Sequence, residues 1–489
     1  MVPGWDAIEA MDNKIATPDS GVRDSFILFR NSQGAEVRAS LLRLTRYLAI
    51  FEVYNPYSIL QLSEVLSEFK IIISDRMVYS GRAVVSNQVN TGLVVVCEAT
   101  LDEAWLDVDL FSQLNQRPKL LVEFGQFMKE WQKIYTVLPE YKVVVADMQT
   151  FLVDLRRWLE QVELSIRSAP SGDRSQIERE VIQELGQPII PTVDELFERF
   201  ERIARVLPQE LQPVHQLYIK RQIHPLLLCS PFAYRTYQKP LGYAGDYEMV
   251  NMILRDPYEG SSLFAKMMNV WLLNQSSAAA HRNRVLFLAA KLTEETQRMA
   301  RLGRPARIYN LGCGPAKEVQ TFLVQSDLCE QARLTLLDFN DETLQHTGRI
   351  LDELKLRHRR STPIQMEKKS VHQILKEAAR SGELPPEKKF DFIYCAGLFD
   401  YLSDRICKRL MNIFYDLLAP GGLLVATNVD PSNPNRGSME YVLEWHLVYR
   451  NRKQLESLNP DAAPPGSFAV KTDTTGVNVF IEVRKPCEV

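Results

Sequence analysis

The residues with the clearest capacity for chemistry are two glycines and an acid. Ile308-Tyr-Asn-Leu-Gly-Cys-Gly-Pro-Ala-Lys-Glu318 reads as a short apolar strand, a tight turn at Gly312 and Gly314, and a helix opening near Lys317. Glycines at such a turn allow positive φ and leave no Cβ to hold a ligand away from the backbone. A second apolar run, Leu334-Thr-Leu-Leu-Asp338, ends in a carboxylate. In a doubly wound sheet the first two strands are neighbours. Asp338 then falls beside the turn, where it can accept hydrogen bonds from a ribose diol. Lys317 occupies the third glycine position of a pyrophosphate-binding turn, and Pro315 stiffens the loop before it. A ligand without a pyrophosphate fits that pattern better.

Further candidates lie along the same edge. Phe390-Asp-Phe-Ile-Tyr-Cys-Ala396 reads as a buried strand, followed by Gly397-Leu-Phe-Asp-Tyr-Leu402, which places Phe399, Asp400 and Tyr401 near a reacting centre. Leu417-Leu-Ala-Pro-Gly-Gly-Leu-Leu-Val-Ala426 reads as a helix end, a turn and another buried strand. Upstream, Tyr234-Arg-Thr-Tyr-Gln-Lys-Pro-Leu-Gly-Tyr-Ala-Gly-Asp-Tyr247 interrupts a helical region with a loop marked by Pro240, Gly242 and Gly245. Asp246 can cap the helix that follows, and Tyr243 and Tyr247 can wall a pocket as parts of a lid. His281 and Arg282 form a pair able to bind a carboxylate. Glu444, Trp445, His446, Tyr449 and Arg450 read as one helix covering the acceptor side.

With these residues in place, the chain resembles the class I S-adenosylmethionine-dependent methyltransferases. Leu-Gly-Cys-Gly matches their glycine loop, Asp338 their ribose acid, and Leu-x-Pro-Gly-Gly the turn before their fifth strand. The resemblance implies S-adenosyl-L-methionine as cofactor, held by Gly312, Cys313, Gly314, Asp338, Phe339, Ser370, Val371, Ala396 and Tyr243. Two positions depart from the family pattern. Asn310 stands where many members carry an acid, which implies altered or water-mediated contacts to the methionine amino group. Ser370 replaces an acid often found after the third strand. His446, Tyr243, Asp400 and His281 are the catalytic candidates. A carboxylate acceptor needs orienting donors such as His281, Arg282 or His446, whereas a hydroxyl or amine needs a proton acceptor such as His446 or Asp400.

Over roughly residues 200–489, Pro-Leu-Gly-Tyr-Ala-Gly-Asp-Tyr, Leu-Gly-Cys-Gly-Pro-Ala and Glu444-Trp-His-Leu-Val-Tyr-Arg450 resemble a narrower group. It is the bacterial extracellular-factor group of 3-hydroxy fatty acid methyl ester biosynthesis. That implies a small-molecule substrate, a lipophilic acid methylated on its carboxylate. The alternatives are O- or N-methylation of another small molecule, or a regulatory protein whose cofactor fold has lost turnover.

The elements that must position these residues suggest an α/β fold, a Rossmann-like methyltransferase domain with a helical lid region and an N-terminal small antiparallel β-barrel. From Ser25 to about Val108 the period is mostly two. Short strands are expected at Phe26-Ile-Leu-Phe, Val37–Leu42, Leu48–Tyr54, Ile71–Ile73, Arg82–Val85 and Gly92–Cys97, separated by turns at Asn31, Asn55-Pro56 and Ser80-Gly81. Within it the run Ile59 to Gly92, with Ser74-Asp-Arg-Met-Val-Tyr-Ser-Gly81 and Asn90-Thr-Gly-Leu93, resembles PilZ-like domains, which bind cyclic di-GMP. Arg38, Arg43 and Arg46 lack the family's Arg-x-x-x-Arg spacing, and Val89 replaces the serine of its second motif. The barrel therefore reads as a degenerate docking module, with a protein partner or weak cyclic dinucleotide binding as its expected ligands.

A helical period follows, with Phe124, Phe127, Trp131, Ile134 and Tyr135, then Phe151, Leu155, Trp158, Leu159 and Val162, as packing residues. The expected division is 1–110, 111–205 and 206–489. At 489 residues, 45% hydrophobic and 24% charged, the chain has the composition of a globular protein. A net charge of −3 gives no expectation of nucleic acid as partner. Seven cysteines without Cys-x-x-Cys spacing argue against a metal site and for a reducing compartment. With no signal-peptide pattern and no transmembrane run, the expectation is a cytoplasmic protein.

Overall fold

The computed structural model describes residues 25–102 except 33, 46, 54–59, 74–75 and 91–93, residues 124–125 and 128, and residues 137–487 except 169, 171, 381–384 and 386–387. Six strands come first: β1 (Ser25–Arg30), β2 (Glu36–Leu44), β3 (Leu48–Val53), β4 (Val65–Ile73), β5 (Arg76–Asn90) and β6 (Val95–Leu101). They close into an antiparallel barrel in the order β1-β2-β3-β6-β5-β4. Alternation drives the closure, because inward residues such as Ile27, Phe29, Ala49, Phe51, Phe69 and Ile71 are almost fully buried. Phe29, Phe51 and Phe69 pack at ring separations of 5.6–5.9 Å in its centre.

Ser80-Gly81 is not a turn. Both residues lie inside β5, with Ser80 opposite Lys70 and Gly81 opposite Phe69. Gly81 is needed there for another reason: a Cβ would come within 2.7 Å of the Tyr79 phenol oxygen. Asn55, Pro56 and Arg46 lie outside the described residues.

Long helices follow the barrel. α1 (Pro139–Arg167) and α2 (Arg174–Ala204) pack with α3 (Gln212–Leu227), α4 (Pro231–Gln238), α5 (Tyr247–Leu254) and α6 (Leu263–Leu273) around one core, which also takes in Met439–Leu443, Trp445 and Leu447. Leu155 and Leu159 are buried in it, whereas Phe124 and Trp158 are more than half exposed. Phe127, Trp131, Ile134 and Tyr135 lie outside the described residues. Among the described residues no helix is long and apolar enough to cross a membrane.

The second sheet begins after α7 (Ser276–Arg301). Its strands are β7 (Ala306–Leu311), β8 (Ala332–Asp338), β9 (Ile364–Lys368), β10 (Phe390–Cys395), β11 (Leu418–Val429), β12 (Phe468–Thr472) and β13 (Asn478–Arg484), in the order β12-β13-β11-β10-β7-β8-β9. β7 pairs in parallel with β8 and β10, so Asp338 ends the strand next to the glycine turn. α8 (Lys317–Gln325), α9 (Asp341–His358), α10 (Val371–Ala378) and α11 (Asp404–Leu417) are the crossovers. The central strands are apolar on both sides because helices cover both faces. The Leu-x-Pro-Gly-Gly turn belongs to β11 itself, as a bulge that shifts register against β10 between Phe390 and Phe392.

Candidate functional site

Gly312 and Gly314 both adopt left-handed φ, 72° and 49°, and a Cβ on Gly314 would meet no atom within 4 Å. The requirement at Gly314 is therefore conformational, and the space beside the turn is free for a ligand. The Asp338 carboxylate accepts hydrogen bonds at 3.1 Å from the Gly314 amide through one oxygen and from the Asn340 amide through the other. Burial raises its pKa while these amides work in the opposite direction.

A first cavity opens along this edge. Gly312, Gly314, Asp338, Phe339, Ser370, Val371 and Ala396 line it, together with Tyr243 from the 239–246 loop and Tyr247 at the start of α5. Asp246 caps α5 by accepting from the Met249 amide at 2.8 Å. The Tyr243 ring packs 5.0 Å from Phe339, and burial raises its hydroxyl pKa. Ser370 also has a structural task, because its hydroxyl accepts from the Gln373 amide in a capping box at the start of α10. The barrel contributes to this cavity as well, through Gln61.

A second cavity lies on the other side of the glycine turn. Its walls include Asn310, Cys313, Gly314, His281, Arg284, Asp400, Trp445 and Leu447. Asn310 donates through Nδ2 to the Tyr394 carbonyl at 3.2 Å, and its buried Oδ1 has no hydrogen-bond partner. An orphan acceptor beside a ligand cavity fits an ammonium group. Asp400 receives the Val429 amide at 2.8 Å, and burial raises its pKa to about 6 although Arg284 opposes the rise. His281 donates through Nδ1 to the Ser277 carbonyl at 2.9 Å, which leaves Nε2 as the acceptor nitrogen. Burial, with Arg284 close by, lowers its pKa to about 3.

His281 and Arg284 are three residues apart on α7 and share a face, whereas Arg282 turns away and donates to the Ile253 carbonyl. Arg284 is only 9% exposed, and burial lowers its pKa while the nearby Asp400 and Glu318 carboxyls oppose the shift, although neither comes within ion-pair distance of it. It lies so close to Gly397 that a Cβ there would come within 2.9 Å of its Nη1.

A third, mostly apolar cavity continues from the second through His281 and Trp445, which line both. Phe197, Phe232, Ile253, Trp271 and Leu272 form its walls.

The acceptor-side helix expected at Glu444–Arg450 does not form. After a short π-turn at Ser438–Val442 the chain runs irregularly, with Glu444 at φ 51°. Its amides find partners outside any helix: Trp445 donates to Met439 O, Val448 to Asp400 O and Arg450 to Val429 O. Trp445 and Leu447 consequently face the cavities while His446 faces the barrel, where its backbone meets the Ser63 hydroxyl. His446 lines none of the three cavities, and burial lowers its pKa to about 4. Arg450, 1% exposed, is spent on Asp404, Asn428 and the carbonyls of Phe399 and Leu402.

Residues 281–461 match a family described as a methyltransferase domain. That part of the chain is a methyltransferase domain. The protein is an S-adenosylmethionine-dependent methyltransferase, and S-adenosyl-L-methionine fits the Asp338 carboxylate and the orphan Asn310 oxygen on either side of the glycine turn. No curated protein sequence matches the methyltransferase.

Solved structures are similar to it, three of them as follows. One is a possible exported protein of Bordetella parapertussis (16% identity, 65% of this chain and 99% of that one, TM-score 0.40). Another is magnesium protoporphyrin IX methyltransferase of Synechocystis with bound SAM (10% identity, 43% and 82%, TM-score 0.29). The third is the N-methyltransferase NodS of Bradyrhizobium japonicum in complex with S-adenosyl-L-homocysteine (15% identity, 52% and 99%, TM-score 0.30).

Proposed function

We propose that the enzyme methylates the carboxylate of a lipophilic acid, a hydroxy fatty acid above all. The observation that carries this reading is Arg284, a buried cation that faces the second cavity with Asp400 and Glu318 near but beyond ion-pair distance, and with an apolar cavity leading away from it. A buried guanidinium whose carboxylate neighbours stay beyond ion-pair distance is still stabilised by a ligand anion that reaches it directly. The adjoining apolar walls suit an acyl chain, and His281 Nε2 can accept a hydrogen bond from a hydroxyl group on that chain.

The cofactor supplies an electrophilic sulfonium methyl group. Asp338 accepts the ribose hydroxyls, and Asn310 Oδ1 accepts from the ammonium. Phe339, Val371 and Tyr243 enclose the base. Cys313 and Ala396 contribute wall rather than polar contact. A carboxylate acceptor is already ionised at neutral pH, so the chain's task is alignment and exclusion of water. Arg284 orients the acceptor oxygens, and Trp445 and Leu447 close the side opposite the glycine turn.

Asp400 favours a second reading. A buried carboxyl with a pKa near 6 is suited to take a proton from a hydroxyl acceptor.

The experiment compares wild type with Arg284→Met, using 3-hydroxydecanoate as acceptor and mass-spectrometric detection of the methyl ester. A KM raised about tenfold with S-adenosylhomocysteine affinity unchanged supports the proposal. If S-adenosylhomocysteine affinity falls while that of 5′-methylthioadenosine does not, Arg284 serves the cofactor's carboxylate and the acceptor assignment fails.

A further inference from the structure

The barrel is joined to the catalytic half at the two segments that close its cavities. On the cofactor side, the Val65 amide donates to the Gly242 carbonyl at 2.8 Å, one residue before Tyr243. Gly242 lies so close to Ser32 that a Cβ would come within 2.9 Å of the serine Cβ. On the acceptor side, Arg82 of β5 reaches Glu444 at 2.9 Å and Asp102 at 2.8 Å through Nη1, and the Tyr237 carbonyl at 2.9 Å through Nη2. Glu444 also receives Lys220 at 2.5 Å and is 3% exposed. Ser63 brackets the next turn of chain. Its hydroxyl accepts from the His446 amide and contacts the His446 carbonyl at 2.9 Å. Val448 packs against the barrel core.

These contacts fall on alternate residues of one extended segment. Glu444, His446 and Val448 face the barrel, whereas Trp445 and Leu447 face the cavities. Ser63 at φ 63° and Glu444 at φ 51° both hold left-handed backbone, a strained conformation for residues with a Cβ. Such a conformation persists where its surroundings over-determine it. Here the barrel contributes part of those surroundings, through Arg82 on Glu444 and Ser63 on His446, beside Lys220 from the helical half.

We propose that Arg82 and Ser63 of the barrel are positioning residues of the methyltransferase, holding Glu444–Val448 so that Trp445 and Leu447 form the acceptor wall. The barrel is therefore part of the catalytic apparatus as well as a module attached to it. The inference rests on the methyl-transfer reading, but its geometry does not depend on which acid is the acceptor.

The test uses the full chain with Arg82→Met, Arg82→Lys and Ser63→Ala. Three quantities are measured: hydrogen exchange of the peptide covering residues 443–448, S-adenosylhomocysteine affinity, and kcat and KM for 3-hydroxydecanoate. Expected are faster exchange at 443–448 with protection of 310–316 unchanged, and cofactor affinity within about twofold of wild type. The acceptor KM should rise about tenfold in Arg82→Met and less in Ser63→Ala. Arg82→Lys should recover only part of the loss, because an ammonium cannot span three acceptors as a guanidinium fork does.

Unchanged exchange and unchanged acceptor kinetics in both Arg82→Met and Ser63→Ala overturn the proposal. So does a loss of cofactor affinity in step with the acceptor effect, which would mark general loosening. If Arg82→Met does not fold, Ser63→Ala decides alone, since it removes a single hydroxyl. A wild type that binds S-adenosylhomocysteine but never methylates the acid counts against the proposed acceptor, and the exchange measurement then decides the barrel's role by itself.

Discussion

On the cofactor side of the cleft, Gly312, Gly314 and Asp338 stand at the ends of adjacent parallel strands and bond to one another through short stretches of backbone. On the acceptor side, Trp445 and Leu447 sit on a segment with no regular structure, tied to Ser63 and Arg82 more than 350 residues earlier in the chain. The first wall is a product of local rules: apolar strand, glycine turn, acid at the next strand end. The second exists only because distant elements converge on it. Catalysis needs both, but they should fail in different ways when disturbed.

The largest effect is expected at Glu444. Replacing it with alanine leaves Lys220 buried without its anion and Arg82 with Asp102 alone, a loss of about 3–5 kcal/mol in chemical denaturation. Adding Lys220→Met should recover part of it. A single substitution here that left stability unchanged would place the second wall's support elsewhere. Asp338→Ala should lower S-adenosylhomocysteine affinity about a hundredfold, the loss of two hydrogen bonds to a charged acceptor, and cost about 1–3 kcal/mol of stability as the Gly314 and Asn340 amides lose their acceptor. Titration calorimetry measures this, and an undiminished affinity would detach the first wall from the cofactor.

A further effect concerns pH. Lys239 is 2% exposed, donates to the Leu443 carbonyl at 3.2 Å, and has its pKa lowered to about 7 by burial, with Glu444 opposing the shift. An unfolded lysine titrates near 10.4, so between about pH 7 and 10 the unfolded chain holds a proton that the folded chain has released. Stability should therefore rise with pH across that window in wild type relative to Lys239→Met. Urea midpoints at both ends of the window compare them, and a parallel pH dependence in the two proteins would exclude the lysine.

How much of this was legible follows the same division. Gly312, Gly314 and Asp338 could be read because their roles depend on residues close in sequence or on neighbouring strands of a regular sheet. Ser80-Gly81 was misleading, since a glycine demanded by an overlying tyrosine looks like a glycine demanded by a turn. Glu444–Arg450 has helix-like spacing of aromatic residues, but its amides are claimed by Met439, Asp400, Val429 and Ser63, and no local pattern announces such partners. Arg284 was within reach: a helical period through His281 places residue 284, not 282, on the same face. Gln61 and Ser63 carried no signal at all, because only barrel docking gives them a neighbour in the cleft.

The placing of aromatic rings in the acceptor cavities also gives the protein an optical property. Trp445, hydrogen-bonded through Nε1 to the Tyr401 hydroxyl at 2.8 Å, and Trp271 both line the apolar cavity. A bound acyl chain would pack against both indoles at once and alter their emission. Occupancy of the acceptor site would then be visible as fluorescence, before any methyl group has moved.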